Sequence, residues 1–400
     1  MTHAVSRLDL FVTEACNLAC GYCFASGRAR KNPPLSRLIS ALDWLARSES
    51  RSIHVTLWGG EPLLRPTVLE KVVSHARQSG KRLTLSLPTN ATLLDSRSLA
   101  WIRDSGTRIF LSIDGDEEAQ ADRPLASGGS SHAMAIEGME SALRAGLGHR
   151  CAVRMTVTPR NAARLARSVS FLAAHGASRV MIHPAYDMPW SGGSMRDHAR
   201  GQADLARLLV GWLSRADDPR KVPRLDAWMG ILEKMLDGAR VRPVTGEVRG
   251  CGAGKRLVAL AVDGTFWPCH RFVHYARARG EDMTLGSLEG GLDAERSSSY
   301  AGRRIEDLAG VVRCVACEIR DLCTYGCIAT NYATTGRIDR IPPAACRLVR
   351  AQIEACRIVH EALEGDPRYA LYLGRTLSSP LARVSRELGR RAWQMHRAAT

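Results

Sequence analysis

The residues best suited to chemistry lie near the N-terminus, in Cys16-Asn17-Leu18-Ala19-Cys20-Gly21-Tyr22-Cys23. Three cysteines spaced C-x3-C-x2-C on one loop can turn their sulfurs toward a common centre, which suits three corners of a four-iron cube. The fourth iron is then left without a protein donor, and an open iron can chelate a small molecule. Tyr22 sets an aromatic ring beside that place. Three thiolates alone fall one donor short of a closed zinc site. A second concentration runs Cys314-x2-Cys317-x5-Cys323-x3-Cys327, preceded by Cys251 and Cys269 and followed by Cys346. A pair of zinc ribbons would use Cys314, Cys317, Cys323 and one partner but leave the odd cysteines idle. Cys151 reads as a small apolar core residue, and Cys356, three turns beyond Cys346 on the last helix, as a spare thiol.

These loops need a scaffold. β-rich runs at Leu8–Val12, Ile53–Trp58, Arg82–Leu87, Arg108–Ile113, Ala152–Thr158 and Arg179–His183 predict strands. Between and after them, i, i+3, i+4 apolar spacing predicts helices over Ser36–Arg47, Pro66–Ser79, Asp95–Ser105, His132–Ala145, Asn161–His175 and His198–Ser214. Six βα units in a row demand a parallel sheet with right-handed crossovers. Six is too few for a closed eight-stranded barrel, so the expected fold is α/β, a partial (β/α)6 TIM-like barrel with its site at the strands' C-terminal ends. On that rim fall Trp58-Gly59-Gly60-Glu61-Pro62, Thr89-Asn90, Ser112-Ile113-Asp114-Gly115 and Arg123, with Arg154 and His183 pointing from the fifth and sixth strands. Paired glycines let backbone approach a ligand closely. For His183, a satisfied core histidine is the plainer reading.

The expected organisation is a barrel over 1–214, a proline-containing bridge over 215–250, a small cysteine-rich α+β domain over 251–361 and a basic tail over 362–400. The cysteine-rich part opens with a hairpin, Leu257–Val262 and Thr265–Cys269 around a two-residue Asp263-Gly264 turn. It closes with a helix over Pro343–Leu363.

Taken together, these motifs resemble the radical S-adenosylmethionine (SAM) superfamily with a C-terminal SPASM extension, over residues 8 to about 360. The resemblance implies that the Cys16/Cys20/Cys23 cluster chelates SAM through its open iron, and that one electron cleaves SAM to a 5′-deoxyadenosyl radical. It implies SAM contacts from Tyr22, Gly59, Gly60, Glu61, Asn90, Ser112, Asp114 and Arg123. It also implies two auxiliary 4Fe–4S clusters, three in all: one on Cys314, Cys317, Cys323 and Cys346, the other on Cys251, Cys269 and Cys327. The second set is one ligand short, so an open iron is expected there.

His270 follows Cys269, where sulfatase-maturing members place an aspartate base. The run Pro268-Cys269-His270-Arg271-Phe272-Val273, with Leu285-Gly286 after it, is similar to ribosomal-peptide maturases of the thioether-forming kind. A histidine can serve as a base near neutral pH or hydrogen-bond a cluster sulfur. The expected function is therefore hydrogen abstraction from a ribosomally made precursor peptide, followed by C–S or C–C crosslinking or a related oxidation. Two alternatives stand beside it: a sulfatase-maturing or other protein-oxidising enzyme, and a non-catalytic iron–sulfur or zinc binding protein. Expected partners are the precursor peptide and a reductant such as flavodoxin or ferredoxin. Because the first strand begins within the first ten residues, leader recognition is expected to need another surface or a separate leader-binding protein.

The net charge of +16 is spread along the chain, with seven arginines against Asp366 and Glu387 from residue 365 onward. No basic run with interleaved aromatics appears, which argues against nucleic acid; an acidic peptide partner suits the balance equally well. No apolar run approaches the roughly 20 residues of a membrane span, and the first residues lack a signal peptide's apolar region. A cytoplasmic location follows as the expectation, with twelve cysteines read as metal ligands before disulfides.

Overall fold

The computed structural model describes residues 3–25, 30–237, 251–300, 308, 310, 313–314, 316–323 and 326–374. Strands β1 (Arg7–Thr13), β2 (Ser52–Gly59), β3 (Arg82–Thr89), β4 (Arg108–Leu111), β5 (Cys151–Val157) and β6 (Arg179–Pro184) pair in parallel in chain order. Helices α1 (Leu35–Ala46), α2 (Pro66–Ala76), α3 (Ser96–Ser105), the short α4 (Glu117–Gln120), α5 (His132–Arg144), α6 (Leu165–Ala174) and α7 (Gly192–Arg215) connect and follow them. The predicted elements are therefore present, with shifted ends. The helix expected from His198 begins six residues earlier, because the Ser191 side chain accepts from Ser194 N at 3.1 Å and caps it there. At the end of α3, Gly106 takes the left-handed conformation (φ +75°) that stops the helix.

Alternation along the strands decides which side chains meet the helices and which meet the interior. Leu8, Leu10 and Val12 of β1, Val153, Met155 and Val157 of β5, and Val180 and Ile182 of β6 join one aliphatic core. Burial of each such side chain contributes about 1.5–3 kcal/mol. The other face is polar: Asp9, Arg154, Thr156 and His183 project inward, and Arg154 and Thr156 sit in register with Met181 and His183.

The sheet does not stop at six strands. A two-residue β7 (Arg224–Leu225) adds beside β6, and β8 (Leu257–Leu260) pairs in parallel with β1. β9 (Thr265–Trp267), β10 (Gly286–Ser287) and β11 (Gly291–Leu292) continue that edge antiparallel, giving eleven strands. The hairpin from the cysteine-rich part is thus built onto the barrel sheet. Its turn is also longer than expected. Ala261 N donates to Thr265 O at 3.0 Å and Gly264 N to Ala261 O at 3.0 Å, so three residues form the loop, with Gly264 left-handed at φ +93°. That is a type I turn closed by a glycine bulge rather than the two-residue turn that Asp-Gly suggests.

The 215–250 stretch is more than a connector. Residues Asp226–Leu236 form α8, burying Trp228, Met229, Ile231 and Leu232. Arg179 and Arg224 both pair with Asp226, at 2.8 and 2.7 Å, and tie it to the sheet edge. The rest of the stretch, 238–250, lies outside the described residues. Further on come α9 (His270–Arg279), α10 (Ala294–Ser298), α11 (Ile328–Thr335), α12 (Pro343–Leu363) and α13 (Pro367–Gly374). α12 spans the residues its periodicity predicts. α13 falls in the stretch read as a tail, but its Tyr369 and Tyr372 are fully buried. The Tyr372 hydroxyl donates to Pro223 O at 3.1 Å and accepts from Leu225 N at 3.3 Å. Residues 375–400, with most of the tail's arginines, lie outside the described residues.

α7 and α12 pack against each other and seal in His198, whose ring nitrogens find no hydrogen-bond geometry even toward the nearby Leu348 backbone. Burial holds the ring's pKa down at about 4, against 6.5 when exposed. The unfolded chain therefore gains a proton first as pH falls from 6.5 to 4. His198 should remove about 3 kcal/mol of stability across that window, none of it lost above pH 6.5. Urea unfolding of His198→Leu and the parent at pH 7 and pH 4.5 checks this: the parent should lose more stability than the variant on acidification.

Candidate active site

β1 runs directly into the cysteine loop, and the loop is clamped on two sides. On one, the end of β2 lies against it: Gly60 N donates to Thr13 O at 3.1 Å and Glu61 N to Ala15 O at 2.8 Å. A Cβ on Gly60 would stand 2.3 Å from Ala15 O, and one on Gly59 2.5 Å from Thr13 O. The glycine pair is thus demanded by this backbone contact, whatever ligand also approaches it. On the other side, Ala19 N donates to Pro124 O and Gly21 N to Asp122 O, each at 2.9 Å, and Ala126 N to Asn17 O at 2.8 Å. Gly60→Ala should force the two backbones apart, at a cost of about 1–3 kcal/mol as for other overpacked sites. The expected outcome is a lower urea midpoint together with reduced iron retention at the first loop, read by metal analysis. Unchanged values in both would refute it.

Asp114 organises the wall behind the loop. It is fully buried, accepts from Arg123 Nε at 2.9 Å and from Thr156 N at 2.8 Å, and takes the Tyr22 hydroxyl as well. Burial opposes the Arg123 charge, but Asp114 and Tyr22 beside it hold the guanidinium firmly protonated. Arg123 lies over the Tyr22 ring, 5.2 Å from its centroid, and brings Nη1 to 4.0 Å from Cys20 Sγ. Glu61, expected as a SAM contact, is buried with its oxygens already engaged. They accept from Leu63 N at 3.1 Å, Thr89 Oγ1 at 2.8 Å and Asn90 N at 2.7 Å. Burial raises its pKa to about 7 in spite of those donors. Asn90 Nδ2 in turn donates to Asn17 Oδ1 at 2.8 Å, joining the third strand end to the cysteine loop.

All the site residues predicted for the barrel and its rim line one cavity of about 490 Å³, except Asp114, which stands behind its wall, and His270. That volume falls within the range of small-molecule sites. The ends of β1 to β4 and the loops after them bring Cys16, Cys20, Cys23, Gly59, Gly60, Glu61, Asn90, Ser112 and Arg123 to its lining; β5, β6 with the loop after it, and α9 bring Arg154, Thr156, His183, Asp187 and Arg271. His183 is neutral, its pKa pushed down to about 3 by burial and by Arg154 and Arg271.

His270, at the start of α9, stacks on Trp58 with centroids 3.8 Å apart, and its Nδ1 lies 2.7 Å from Asp9 Oδ2. Burial lowers its pKa more than Asp9 raises it, which leaves a neutral ring with Nδ1–H directed at Asp9. Arg271 lies 4.9 Å over the Phe24 ring and donates to Tyr275 Oη at 2.8 Å; that hydroxyl donates to Asp187. Sequence reasoning overlooked Asp9, Phe24, Asp187, Arg271 and Tyr275. Asp9 carried a signal, as a charge in the middle of an otherwise apolar strand, and Arg271 lay within a quoted motif.

None of the twelve cysteines is joined in a disulfide. Cys16 and Cys23 both disfavour ionisation of Cys20, whose pKa burial pushes up to about 11. Cys251, Cys269 and Cys327 interact electrostatically in the same way, and so do Cys314, Cys317 and Cys346. Cys323 joins Cys327 beside the Tyr186 hydroxyl. Among the described residues no three His, Cys, Asp or Glu side chains close on a single point as they would for one ion. A four-iron cube does not require that, since each thiolate binds its own iron. The donor set suits such a cube: three soft sulfurs opening on one cavity, with Arg123 near Cys20 to balance thiolate charge.

Residues 10–172 match the family model described as the radical SAM superfamily. A Methanocaldococcus jannaschii protein of uncharacterised function is 31% identical over 141 residues, covering 35% of this chain and 49% of that protein. The chain's match therefore spans about half the length of that relative. Mycofactocin maturase MftC of Mycobacterium ulcerans is 24% identical, covering 83% of this chain and 85% of its own. The serine-type anaerobic sulfatase-maturating enzyme of Klebsiella aerogenes is 25% identical, covering 82% and 80%. Among solved structures, native anSMEcpe with bound AdoMet superposes with a TM-score of 0.71 at 17% identity, covering 89% of this chain and 98% of that one. Streptococcus suis SuiB bound to precursor peptide SuiA gives 0.56 at 15% identity, covering 85% and 75%. Residues 10–172 thus carry a radical SAM domain, and the chain shares the fold of the anSMEcpe and SuiB structures on through its cysteine-rich part.

Proposed function

We propose that the chain is a SAM-dependent radical maturase that abstracts hydrogen from a ribosomally made precursor peptide and installs a C–S or C–C crosslink or a related oxidation. The observation that carries this reading is a single cavity lined both by the three cysteine sulfurs with Arg123 and by the polar side chains Arg154, Thr156, His183, Asp187 and Arg271. Bound there, a four-iron cluster and SAM supply a 5′-deoxyadenosyl radical, chemistry that side chains cannot perform. The chain's own residues hold and enclose. Cys16, Cys20 and Cys23 would ligate the cluster, and Arg123, fixed by Asp114, sets a positive charge beside them. Gly59, Gly60, Asn90, Ser112 and Tyr22 shape the cofactor's side of the cavity. Glu61 locks the end of β2 against β3. Trp58, Phe24 and His270 form an aromatic wall that keeps water from the reacting centre.

Two auxiliary clusters fit the remaining donors, on Cys314, Cys317, Cys323 and Cys346 and on Cys251, Cys269 and Cys327. The expected partners are the precursor peptide, a flavodoxin- or ferredoxin-type reductant and a leader-binding protein, in the cytoplasm; no described helix is long and apolar enough to cross a membrane. MftC and the SuiB–SuiA complex support a peptide substrate by their similarity to this chain. The sulfatase-maturating relative keeps a second reading open, but His270, neutral and bonded to Asp9, stands where that reading calls for an aspartate.

The test is anaerobic incubation of the reconstituted protein with SAM, reductant and two peptides: the short reading frame encoded beside its gene, and a sulfatase-derived peptide. The expected result is about twelve irons per chain, three cubes of four, deoxyadenosine, and loss of mass by two hydrogens in the neighbouring peptide. Formylglycine in the sulfatase peptide would favour the second reading. Zinc without sulfide would refute both.

A further inference from the structure

Around the cavity most ionised side chains are paired; among the described residues the exceptions are Arg30, exposed to solvent at the mouth, and Arg154, enclosed on the inner face of the sheet. Asp114 is taken by Arg123, Tyr22 and the Thr156 amide. Asp187 is taken by Tyr275, with Arg271 close by. Asp9 holds His270, and Glu14, below the rim, holds Arg277 at 3.0 Å. Arg154 projects from the inner face of β5 into the cavity, four strands along the sheet from β1 and its cysteine loop, and no hydrogen bond or ion pair engages it among the described residues. Asp9 reaches it only as a charge at a distance, while Arg271 and Arg123 repel it. A guanidinium carries five N–H donors in a planar fork. Arg154 is half-buried with its donors facing the cavity; a guanidinium enclosed there without an acceptor is best served by an anion. The groups beside it, Thr156 and His183, are neutral.

We propose that Arg154 anchors a carboxylate of the peptide substrate, through the two-point contact that a guanidinium makes with a planar carboxylate. This rests on the maturase reading and narrows it: the modified segment carries an acidic side chain or a free C-terminus close to the carbon that reacts. SAM's own carboxylate would be met elsewhere in the cavity, by Arg123 and Ser112.

The test uses reconstituted, SAM-loaded protein and four probes. They are acetyl-Ala-Ala-Ala with a free carboxylate, its C-terminal amide, acetyl-Ala-Glu-Ala amide and acetyl-Ala-Gln-Ala amide. Binding is measured by calorimetry for the parent, R154Q and R154K, with SAM affinity measured in parallel. At least one carboxylate probe should bind the parent tenfold or more tightly than its neutral partner; which one does so distinguishes a C-terminus from an acidic side chain. That preference should vanish in R154Q and persist in part in R154K, with SAM affinity within twofold throughout. Equal binding of charged and neutral probes by the parent overturns the proposal, as does a preference that survives in R154Q. A tenfold loss of SAM affinity in R154Q also overturns it, by assigning the guanidinium to the cofactor. Should R154Q not fold, a preference absent from R154K as well as from the parent still refutes the idea. If the parent protein itself fails to bind or cleave SAM, the maturase reading has failed first, before any peptide is added.

Discussion

Replacing Cys20 by alanine should abolish SAM cleavage, lowering deoxyadenosine formation at least a thousandfold, and should remove about four irons per chain while sparing the others. A cube cannot be held at a defined place by two thiolates. Cys20 is also the sulfur that Arg123 approaches, at 4.0 Å, so its loss removes one of the groups that guanidinium faces and leaves Asp114 and Tyr22 to hold it. The fold should survive, since Cys20 is only partly buried and belongs to no strand or helix. Circular dichroism of the variant should match the parent, which separates a chemical loss from a structural one. A Cys20→Ala protein that keeps its full iron content and still yields deoxyadenosine would remove the cluster from this loop.

Asp114→Asn should act through a different physical route. The carboxylate is fully buried and Arg123 nearly so, and one side chain holds Arg123, Tyr22 and the Thr156 amide together. Asparagine can still accept from Thr156, but its amide would oppose Arg123 and leave the guanidinium charge unpaired. Breaking one member of a buried pair costs about 3–5 kcal/mol. Urea unfolding should show a loss of that size, and calorimetry a tenfold or greater weakening of SAM binding as Tyr22 and Arg123 drift. A stability within about 0.5 kcal/mol of the parent, as for an ordinary surface change, would show that Asp114 does not organise this wall.

Much of the barrel was legible because its strands and helices follow strict periods. Leu38, Ala41, Leu42 and Leu45 announce one helix face, and the cysteine spacings announce two kinds of loop. What stayed hidden depends on contacts distant in sequence. That Glu61 would be enclosed by Thr89 and Asn90 could not be read from Gly-Gly-Glu-Pro, whose glycines turn out to be set by Thr13 and Ala15. His270 was legible as a chemical group but not its neighbour Asp9, which lies 261 residues away in the chain. The Asp263-Gly264 signal placed the hairpin correctly but not its loop length, because a left-handed glycine serves two turn types equally well. α8 was passed over because prolines at 219 and 223 made the segment look irregular, although Trp228, Ile231 and Leu232 already marked a buried face.

The pairing of β8 with β1 has a bearing on how the protein is made. The strand that leads into the first cysteine loop leaves the ribosome some 250 residues before the neighbour that covers its outer edge. Until then β1 presents unpaired amides and carbonyls to any passing strand, and a closure over so long a separation comes late. If Cys16, Cys20 and Cys23 hold iron, its delivery belongs after that docking, once the nascent edge is no longer bare.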